Sequence, residues 1–466
     1  MTILVWHRRD LRLQDNPALA QAVQTGAAVV SVFIFDSAIL TLTDIAPIRV
    51  QFLLDSLGVL AENYRRIGGQ LVLRQGDPVA VLLDLARETQ ATALYFNEDI
   101  EPFAQVRDQR VHTAFQEQGI AVQRCCEIML HGPDEVLTGQ GKSYGVFGPY
   151  WRNWVSRPKP KPYPKPHRLT TVELTSQPLP TLAQLGMSTD QPPVDAGEDV
   201  GLARLEEFCQ PEYCFQYSSQ RNLPAEDGTS RLSPHLRMGT VGIRTVWQAT
   251  VELEADAYSD ERLENLTAWR QELCWRDFYK YTLAYHPETV DQPYQRKYSD
   301  FAFNDNEEHF EQWCRGETGY PLVDAAMAQL NHSGWMHNRC RMVVASFLCK
   351  DLLIDWRKGA LYFAQKLVDG DLAANIGGWQ WSASMGTDPK PLRIFNPQTQ
   401  LARFDPDGSY VRRWLPRLTR AEPKELMTTQ NLHRYDYPRP MVDHKQQQEL
   451  FKRRFQAQSQ VKSVES

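Results

Sequence analysis

Long apolar runs, paired cysteines and an excess of positive charge are all missing from this sequence of 466 residues. No apolar run approaches the length of a membrane span and no basic stretch precedes the first apolar segment, so we expect a cytoplasmic protein without membrane contact. The eight cysteines form no Cys-x-x-Cys pair, which excludes a disulfide-built secreted domain. The net charge of −6 excludes a surface covered with phosphate contacts, although one basic groove is compatible with it.

The chain is too long for one hydrophobic core, and its pattern changes along its length. Over residues 1–130, short β-branched runs alternate with helical spacings, which predicts a doubly wound parallel sheet of the α/β, Rossmann-like class. No Gly-x-Gly-x-x-Gly follows the first strand, so a nicotinamide dinucleotide site is unsupported. The expected strands are 3–6, 29–35, 71–73, 93–96 and 120–122, and the expected helices are 17–23, 49–64, 79–85 and 106–115.

The rest of the chain divides into a linker and a helical domain. Residues 131–199 contain a basic, proline-rich stretch at 157–166 and show little periodicity, which predicts an interdomain linker. Over residues 200–466 the pattern is helical, with almost no β runs, which predicts an all-α second domain. About the last twenty residues are rich in Gln, Lys and Ser, and we expect them to be disordered.

A short hydroxyl-rich segment, Thr-Ser-Arg-Leu-Ser at 229–233, stands directly before Pro234. Pro234 suits the first position of a helix, with Ser233 as the N-cap. Hydroxyls and free backbone amides at a helix start can bind a diphosphate. The same residues also suit an ordinary capped helix, which is the simpler interpretation of this motif alone.

Residues 269–279 place an aromatic and charged stripe on one helix face. At spacings of three and four, the stripe contains Trp269, Glu272, Trp275, Arg276 and Tyr279. Such a stripe forms either a wall on which flat ligands stack or a buried tryptophan seam with one Glu–Arg pair. The pattern leaves both interpretations open.

Two later segments combine polar side chains with glycine. Asn338 and Met342 are one helical turn apart and can contact the same object, and two acids flank Gly370 shortly before Asn375. Paired acids can hold a metal or act as acid and base, but no histidine or further acid stands nearby to complete a metal shell, so we expect no metal. Glycine instead lets the backbone approach a planar ligand closely.

Four motifs occur in one order that is highly specific: Trp-x-x-Glu-x-x-Trp-Arg at 269–276, Met-His-Asn-Arg-x-Arg-Met at 336–342, Asp-Gly-Asp-x-Ala-x-Asn at 369–375 and Gly-Gly-Trp-Gln-Trp-Ser at 377–382. Through them the sequence, from residue 2 to about 450, resembles the DNA photolyases of the photolyase/cryptochrome family. Its resemblance is strongest to class I cyclobutane pyrimidine dimer photolyases of the 8-hydroxy-5-deazaflavin type. The resemblance implies an α/β antenna domain followed by a helical domain that binds FAD.

The resemblance also implies which residues bind FAD. A carboxamide at Asn375 would face the flavin N5, where it can accept a hydrogen bond or donate one. That position favours the reduced flavin that repair needs, and family members specialised for signalling often differ there. The implied cofactor-binding residues are Tyr217, Thr229, Ser230, Arg231, Leu232, Ser233, Trp269, Asp369, Gly370, Asp371 and Asn375.

The implied substrate is damaged DNA in which a cyclobutane pyrimidine dimer is flipped out of the duplex. Trp275 and Trp381 would form stacking walls, and Glu272 would hydrogen-bond the thymine carbonyl edge. Asn338 and Met342 would complete the pocket where photolyases for (6-4) products carry paired histidines, and this difference selects the cyclobutane dimer. The further residues expected near DNA are Arg221, Arg276, Arg339 and Gln400.

Light harvesting in such a protein implies a second pigment in the first domain. The segment at 97–102, together with Asp36 and Arg49, resembles the motifs of photolyases that use 8-hydroxy-5-deazaflavin. Methenyltetrahydrofolate is the alternative antenna. Asp99 and Glu101 also suit a solvated acid cluster at a strand end. The residues implied to bind the antenna are Asp36, Arg49, Asp99 and Glu101.

Three tryptophans usually conduct an electron from the surface to the oxidised flavin in this family. Trp379 and Trp356 match the first two positions, but Phe303 stands at the third, and phenylalanine is far harder to oxidise. The positive charge left behind by the electron must either stop at Trp356 and recombine quickly, or leave by another aromatic side chain, for which Trp313 and nearby tyrosines are candidates.

Two other functions stay open: a non-enzymatic DNA-binding flavoprotein, and a cryptochrome-like blue-light photosensor which binds DNA without repairing it. Members of that kind often carry a long C-terminal extension, which this sequence lacks. We expect a monomer that repairs damaged DNA.

Overall fold

The computed structural model describes residues 1–388 and 392–461. Its first part contains a five-stranded sheet in the order β3-β2-β1-β4-β5, and every neighbouring pair of strands is parallel. The predicted α/β architecture is therefore confirmed, although the fifth strand begins and ends later than expected. The strands are β1 Thr2–His7, β2 Ala28–Phe35, β3 Leu71–Gln75, β4 Ala91–Asn97 and β5 Ala121–Cys125.

Helices connect these strands and are the main regular structure in the rest of the described chain. The first six are α1 Pro17–Gln24, α2 Ser37–Leu40, α3 Pro47–Arg66, α4 Pro78–Thr89, α5 Pro102–Glu117 and α6 Phe147–Ser156. The next six are α7 Glu198–Phe208, α8 Pro211–Cys214, α9 Tyr217–Gln220, α10 Ser233–Met238, α11 Ile243–Glu252 and α12 Asp260–Tyr285. The last nine are α13 Glu307–Arg315, α14 Pro321–Ser333, α15 Asn338–Ser346, α16 Trp356–Lys366, α17 Leu372–Ser382, α18 Pro397–Phe404, α19 Ser409–Trp414, α20 Pro423–Thr428 and α21 His444–Val461. No helix within the described ranges is both long and apolar enough to cross a membrane.

The chain forms two compact units. The first comprises Met1–Thr189, Pro193–Gln216 and Ser230–Pro287, and the second comprises Asp190–Pro192, Tyr217–Thr229 and the described residues after Pro287. The predicted domains, 1–130, 131–199 and 200–466, are continuous segments, whereas each of these units combines separate segments of the chain. The predicted boundaries remain a prediction.

The sheet of the first unit is covered on both faces, as its uninterrupted apolar strands require. Leu4, Val30 and Leu94 on its three central strands are completely buried. The connecting helices begin where the sequence supplies caps: the Asn16 side chain accepts from the Leu19 amide, and Asp77 accepts from the amides of the first turn of α4.

The stretch predicted to be a linker contains the helix α6, which the proline-rich pattern around it concealed. Tyr150 and Trp154 of α6 are completely buried, so this part of the chain packs into the first unit. The sequence analysis did not predict these ten helical residues, and the linker at 131–199 remains a prediction.

The C-terminal segment up to Val461 is helical, contrary to the expected disorder. Helix α21 extends to Val461, and residues 462–466 of the tail lie outside the described residues. Phe451 and Phe455, one turn apart, are buried in the core of the second unit. Two aromatic anchors therefore order a helix whose other positions are mostly polar.

Lys350 is a buried cation in a π-helix, Phe347–Asp351, that directly follows α15. Its Nζ donates to the Arg393 carbonyl oxygen, and burial lowers its pKa to about 8. Between about pH 8 and the ordinary lysine pKa near 10.4, the folded state therefore binds fewer protons than the unfolded state. The free energy of unfolding should rise with pH across this window.

Replacing Lys350 with methionine should remove that rise. Between pH 8 and pH 10, we expect the wild-type protein to gain roughly 1–3 kcal/mol of stability relative to Lys350→Met. Urea unfolding at the two pH values measures the difference. The exposed Lys445, changed to methionine, is the control and should keep the wild-type pH dependence. Equal slopes for wild type and Lys350→Met would contradict the prediction.

Candidate functional site

The aromatic stripe predicted at 269–279 lies on α12 of the first unit. Part of it is a buried tryptophan seam, and part of it is a wall on which a flat ligand can stack. Trp269 is buried and meets Phe208 edge to face at 4.9 Å between ring centroids, as in a packed seam. Glu272 and Trp275 are only half-buried. The Trp275 ring lies flat against Phe147, with centroids 3.7 Å apart and ring planes 5° apart. Phe147 therefore supports one face of the Trp275 ring, as expected for a side chain on which flat ligands stack.

Phe147 was missed in the sequence analysis because it stands in the stretch predicted to be a linker. It begins α6, and it also contacts Phe278 of α12 at 5.8 Å. The only signal was an apolar residue followed at helical spacing by Tyr150 and Trp154.

Arg276, predicted to lie near DNA, has contacts within the first unit. Its guanidinium donates to the carbonyl oxygens of Ile128 at 2.5 Å and Leu236 at 3.5 Å, and it lies 3.4 Å from Asp277. Asp277 is completely buried and accepts from the Trp154 indole at 3.1 Å, and burial raises its pKa. These contacts give Arg276 a structural role beside the stripe.

The hydroxyl-rich segment leads into α10 with a different cap from the predicted one. Helix α10 begins at Ser233 itself, and Leu232 occupies the N-cap position without a side-chain cap. The Ser233 side chain is exposed, and its hydroxyl has no hydrogen bond within the part of the chain that the structure describes. Arg231 adopts φ 49°, which turns the chain sharply before the helix.

In the second unit, Arg341 and Asp369 form an ion pair that the sequence analysis did not single out. The Arg341 guanidinium donates to Asp369 Oδ2 at 2.8 Å and to the Met336 carbonyl oxygen at 2.8 Å. Asp369 is buried, and its second oxygen, Oδ1, has no hydrogen-bond partner among the described residues. A buried carboxylate oxygen without a partner is costly, so it marks a place where a bound donor is expected.

Asn375 and Asp371 lie on or next to α17 and have distinct contacts. The Asn375 amide nitrogen donates to the Ala360 carbonyl oxygen at 2.9 Å, which leaves its carbonyl oxygen as the acceptor. Asp371 caps α17 by accepting from the Ala374 amide at 3.1 Å. A Cβ atom built on Gly378 would meet nothing within 4 Å, so the helix has open space at this position. No cluster of three metal-ligating side chains occurs in the described residues.

The remaining lesion and DNA residues of the second unit lie on several helices. Asn338 at the start of α15 is exposed, and Met342 one turn later is half-buried. Trp381 is half-buried, with the Arg393 guanidinium 5.4 Å from its ring. Arg339 donates to Asn222 at 2.6 Å. Arg221 lies 5.5 Å from the Tyr217 ring. The side-chain carbonyl oxygen of Gln400 is buried and has no hydrogen-bond partner in residues 1–388 and 392–461.

The residues predicted to bind an antenna lie at the carboxyl edge of the sheet in the first unit. Asp36 follows β2 and caps α2, while Asp99 and Glu101 follow β4. Arg9 forms ion pairs with both Asp99, at 2.6 Å, and Glu101. Burial would raise the pKa of Asp99, but the neighbouring guanidinium groups turn the net shift downward. These acids form a buried ion-pair cluster rather than a solvated one.

The fourth residue predicted to bind the antenna, Arg49 of α3, donates to the Asp44 carbonyl oxygen at 2.9 Å.

The tryptophans predicted to transfer electrons are all buried in the second unit: Trp313, Trp356 and Trp379.

Comparison with known proteins assigns this architecture to a class. Residues 3–167 match the family model described as DNA photolyase, and residues 269–457 match the FAD binding domain of DNA photolyase, which together define a two-part flavoprotein. A deoxyribodipyrimidine photo-lyase of Synechococcus sp. is 47% identical over 97% of this chain and 95% of the relative. Another from Halobacterium salinarum is 40% identical over 96% of this chain and 97% of the relative. The chain belongs to the DNA photolyase family.

Solved structures share the fold over nearly the whole chain. A class III photolyase from Agrobacterium tumefaciens is 34% identical with a TM-score of 0.89, covering 98% of each chain. A Sulfolobus tokodaii photolyase with two FAD molecules is 30% identical with a TM-score of 0.85, covering 98% of this chain and 100% of the other. A Synechocystis sp. cryptochrome is 29% identical with a TM-score of 0.89, covering 97% and 98%. The fold alone therefore does not separate repair from signalling.

Proposed function

We propose that this chain repairs DNA in light by splitting cyclobutane pyrimidine dimers, as a monomer in the cytoplasm and as a class I member of its family. The observation that carries the choice of lesion is the face formed by Asn338 and Met342. It presents an exposed carboxamide and a thioether one turn apart, with no histidine at either position. An amide can both donate to and accept from pyrimidine edges.

The side chains of the second unit fit FAD. The orphaned Asp369 Oδ1 needs a hydrogen-bond donor, which the hydroxyl and amino groups of FAD can provide. The Asn375 amide is oriented by Ala360, so its carbonyl oxygen is the atom that would accept from flavin N5. When bound, FAD supplies the light-driven one-electron transfer that splits the dimer. The chain contributes orientation, exclusion of water and hydrogen bonds.

The remaining FAD contacts follow from the chemistry of their side chains. In the second unit, Tyr217 and Thr229 offer hydroxyls, and in the first unit Ser230 and Ser233 do the same. Hydroxyls donate to phosphate oxygens without adding charge. The other proposed cofactor-binding residues are Arg231, Leu232, Trp269, Gly370 and Asp371.

Trp275 and Trp381 are both half-buried, and each is proposed to stack on the flipped dimer. Stacking on an indole replaces part of the stacking that the pyrimidines lose on leaving the duplex. Glu272, one turn before Trp275, would hydrogen-bond a pyrimidine carbonyl as negative charge develops on it. Backbone contacts with DNA are proposed for Arg221, Arg276, Arg339 and Gln400.

For the antenna we propose 8-hydroxy-5-deazaflavin, bound at the carboxyl edge of the sheet where doubly wound folds hold their ligands. Asp36, Arg49, Asp99 and Glu101 all lie at this edge or in the helix beside it. Methenyltetrahydrofolate is the alternative antenna. A second FAD is a third candidate, because the Sulfolobus tokodaii photolyase contains two FAD molecules. The absorption spectrum and mass of the pigment released from the purified protein distinguish the three.

A repair assay tests the lesion choice. With chemically reduced protein in light, we expect a thymine-dimer oligonucleotide to be restored and a (6-4) oligonucleotide to remain unchanged. The same mixtures kept in the dark are the control, and none should react. Repair of the (6-4) product above the dark level would refute the assignment.

The alternative function, a cryptochrome-like photosensor, is compatible with the shared fold of the Synechocystis sp. cryptochrome. The same assay separates the two functions. A photosensor would bind the damaged oligonucleotide and leave the dimer intact under light.

A further inference from the structure

A ladder of aromatic rings runs from Trp379 to the surface of the second unit. Within the described residues, Trp379 makes ring contacts with Trp313 at 6.0 Å and Phe363 at 5.0 Å between centroids. Trp313 contacts Tyr362 at 5.8 Å, with ring planes at 64°. Trp379 and Trp313 are buried, whereas Tyr362 is partly exposed. Three oxidisable rings in sequence therefore join a buried tryptophan to a side chain that solvent reaches.

The route through Trp356 is less favourable for a positive charge. Trp356 is in none of the aromatic ring contacts of the described residues, and the Arg357 guanidinium lies 4.9 Å from its ring. A neighbouring cation opposes removal of an electron from that ring, although Asp355 offsets part of this effect by pairing with Arg357 at 2.8 Å. The Trp356 indole N–H is also buried, and no described residue accepts a hydrogen bond from it. Phe303, which packs on Phe301 at 4.8 Å, cannot continue the route.

Trp313 offers a better environment for the same charge. Its indole N–H donates to the Val344 carbonyl oxygen at 3.2 Å, and a hydrogen bond to an acceptor stabilises the oxidised ring more than the neutral one. Its other ring neighbours are the uncharged Phe310 and Phe363, which lie nearly parallel to it at 5.9 and 6.3 Å. Among the described residues, no cation lies over the Trp313 ring.

We infer that Trp313 and Tyr362 form the exit route by which light reduces the oxidised flavin in this chain, in place of the position held by Phe303. The inference rests on the proposed function, because it requires FAD beside Trp379. Trp379 would give one electron to the photoexcited oxidised flavin and recover one from Trp313. Tyr362 then gives one electron to Trp313 and loses its phenolic proton, which leaves a neutral tyrosyl radical.

The hydroxyl contacts of Tyr362 determine where that proton goes. The hydroxyl donates to Asn331 Oδ1 at 2.6 Å, with the Cys314 carbonyl oxygen at 3.1 Å, and neither acceptor is a base. The proton therefore leaves to water, and formation of the radical should be slower in D₂O. A thiol in solution completes the cycle by donating a hydrogen atom to the radical, and two thiyl radicals then pair as a disulfide.

The test uses protein loaded with oxidised FAD and illuminated with a thiol reductant, followed by transient absorption and electron paramagnetic resonance. We expect the electron paramagnetic resonance signal of a tyrosyl radical. This signal should narrow when the protein is produced in cells supplied with ring-deuterated tyrosine. Tyr362→Phe should lose this signal. Tyr435→Phe is the matched control, because Tyr435 is also half-buried and hydrogen-bonded in the second unit but does not contact Trp313, and it should keep the signal.

The tryptophan step is tested in the same way. Trp313→Phe should lose both the tyrosyl signal and net photoreduction, whereas Trp414→Phe, a change of the same kind elsewhere in the second unit, should keep both. Because Trp313 is completely buried, Trp313→Tyr is added as a variant of similar packing whose ring is still oxidisable. Photoreduction that returns in Trp313→Tyr supports the route, and equal loss in both variants would overturn it in favour of a packing role.

Three other results would overturn the route. The tyrosyl signal could survive in Tyr362→Phe, or Trp313→Phe could be photoreduced as fast as the wild type. The third is that the wild type gives no tyrosyl signal at all. Repair by chemically reduced wild-type protein distinguishes failure of the route from failure of the proposed function. If that protein splits dimers in light while the radical results contradict the ladder, only the route is wrong. If it does not split them, the proposed function itself fails.

Discussion

Glu272→Ala is expected to lower the yield of light-dependent dimer repair more than it lowers dimer affinity, whereas Trp275→Ala is expected to do the reverse. The carboxyl of Glu272 acts on a pyrimidine carbonyl that gains charge during the reaction, so its loss should cost about 1.5–3 kcal/mol at that stage. Trp275 stacks on the dimer in every state, so its loss should weaken binding by roughly 1–3 kcal/mol. Repair yield per absorbed photon and a binding isotherm on the same oligonucleotide measure the two quantities.

Conservative variants provide the controls. Glu272→Gln keeps a hydrogen-bond donor and should recover part of the yield, and Trp275→Phe keeps a flat ring above Phe147 and should recover part of the affinity. Phe147→Ala should also weaken binding, because the Trp275 ring then loses the surface that holds it in place. Equal losses of yield and affinity in both alanine variants would contradict the division of roles.

Glu127→Leu is expected to destabilise the first unit by about 3–5 kcal/mol, because it leaves a buried guanidinium unpaired. Arg12 and Glu127 are 1% and 5% exposed and lie 2.5 Å apart. Burial would lower the pKa of Arg12, but Glu127 and Asp15 more than compensate, so the net shift is upward and the side chain stays charged. Urea unfolding followed by circular dichroism measures the loss.

An exposed pair of the same type serves as the control for this prediction. Arg65 and Glu62 are 78% and 34% exposed, and Glu62→Leu should cost less than about 1 kcal/mol. The double variant Arg12→Met with Glu127→Leu should recover much of the stability lost in Glu127→Leu, since it removes the unpaired charge. A single variant as stable as the wild type would show that the pair is dispensable.

The α/β sheet could be predicted because its signals are local. Each strand is a short apolar run, each connecting helix has its own spacing, and alternation of the two implies parallel pairing. Boundaries were less accurate: the fifth strand was expected at 120–122 and lies at Ala121–Cys125, and the short helix α2 was not expected. The ends of β5 follow its pairing with β4, which runs from Ala121 opposite Ala93 to Cys125 opposite Asn97, and the composition of the segment does not reveal that pairing.

Two elements were predicted wrongly for a common reason. Helix α6 stands in a proline-rich context, and α21 has a polar composition, so their local patterns favoured irregular chain. Tyr150 and Trp154 in one helix, and Phe451 and Phe455 in the other, are anchored by packing against distant parts of their own unit. Tertiary burial overrides weak local preference in both cases.

The sequence by itself determined the class of fold, the family and the set of side chains available to FAD and DNA, because motifs and periodicities are readable from neighbouring residues. Only the tertiary structure decided how those side chains are used within each unit. It placed Phe147 behind Trp275, gave Asp99 and Glu101 the same partner in Arg9, left one oxygen of Asp369 without a hydrogen bond to any described residue, and set Trp313 in edge-to-face contact with both Trp379 and Tyr362. Each of these pairings joins residues far apart in the chain. Their distances depend on how whole helices and strands pack, and no spacing in a single sequence encodes that packing.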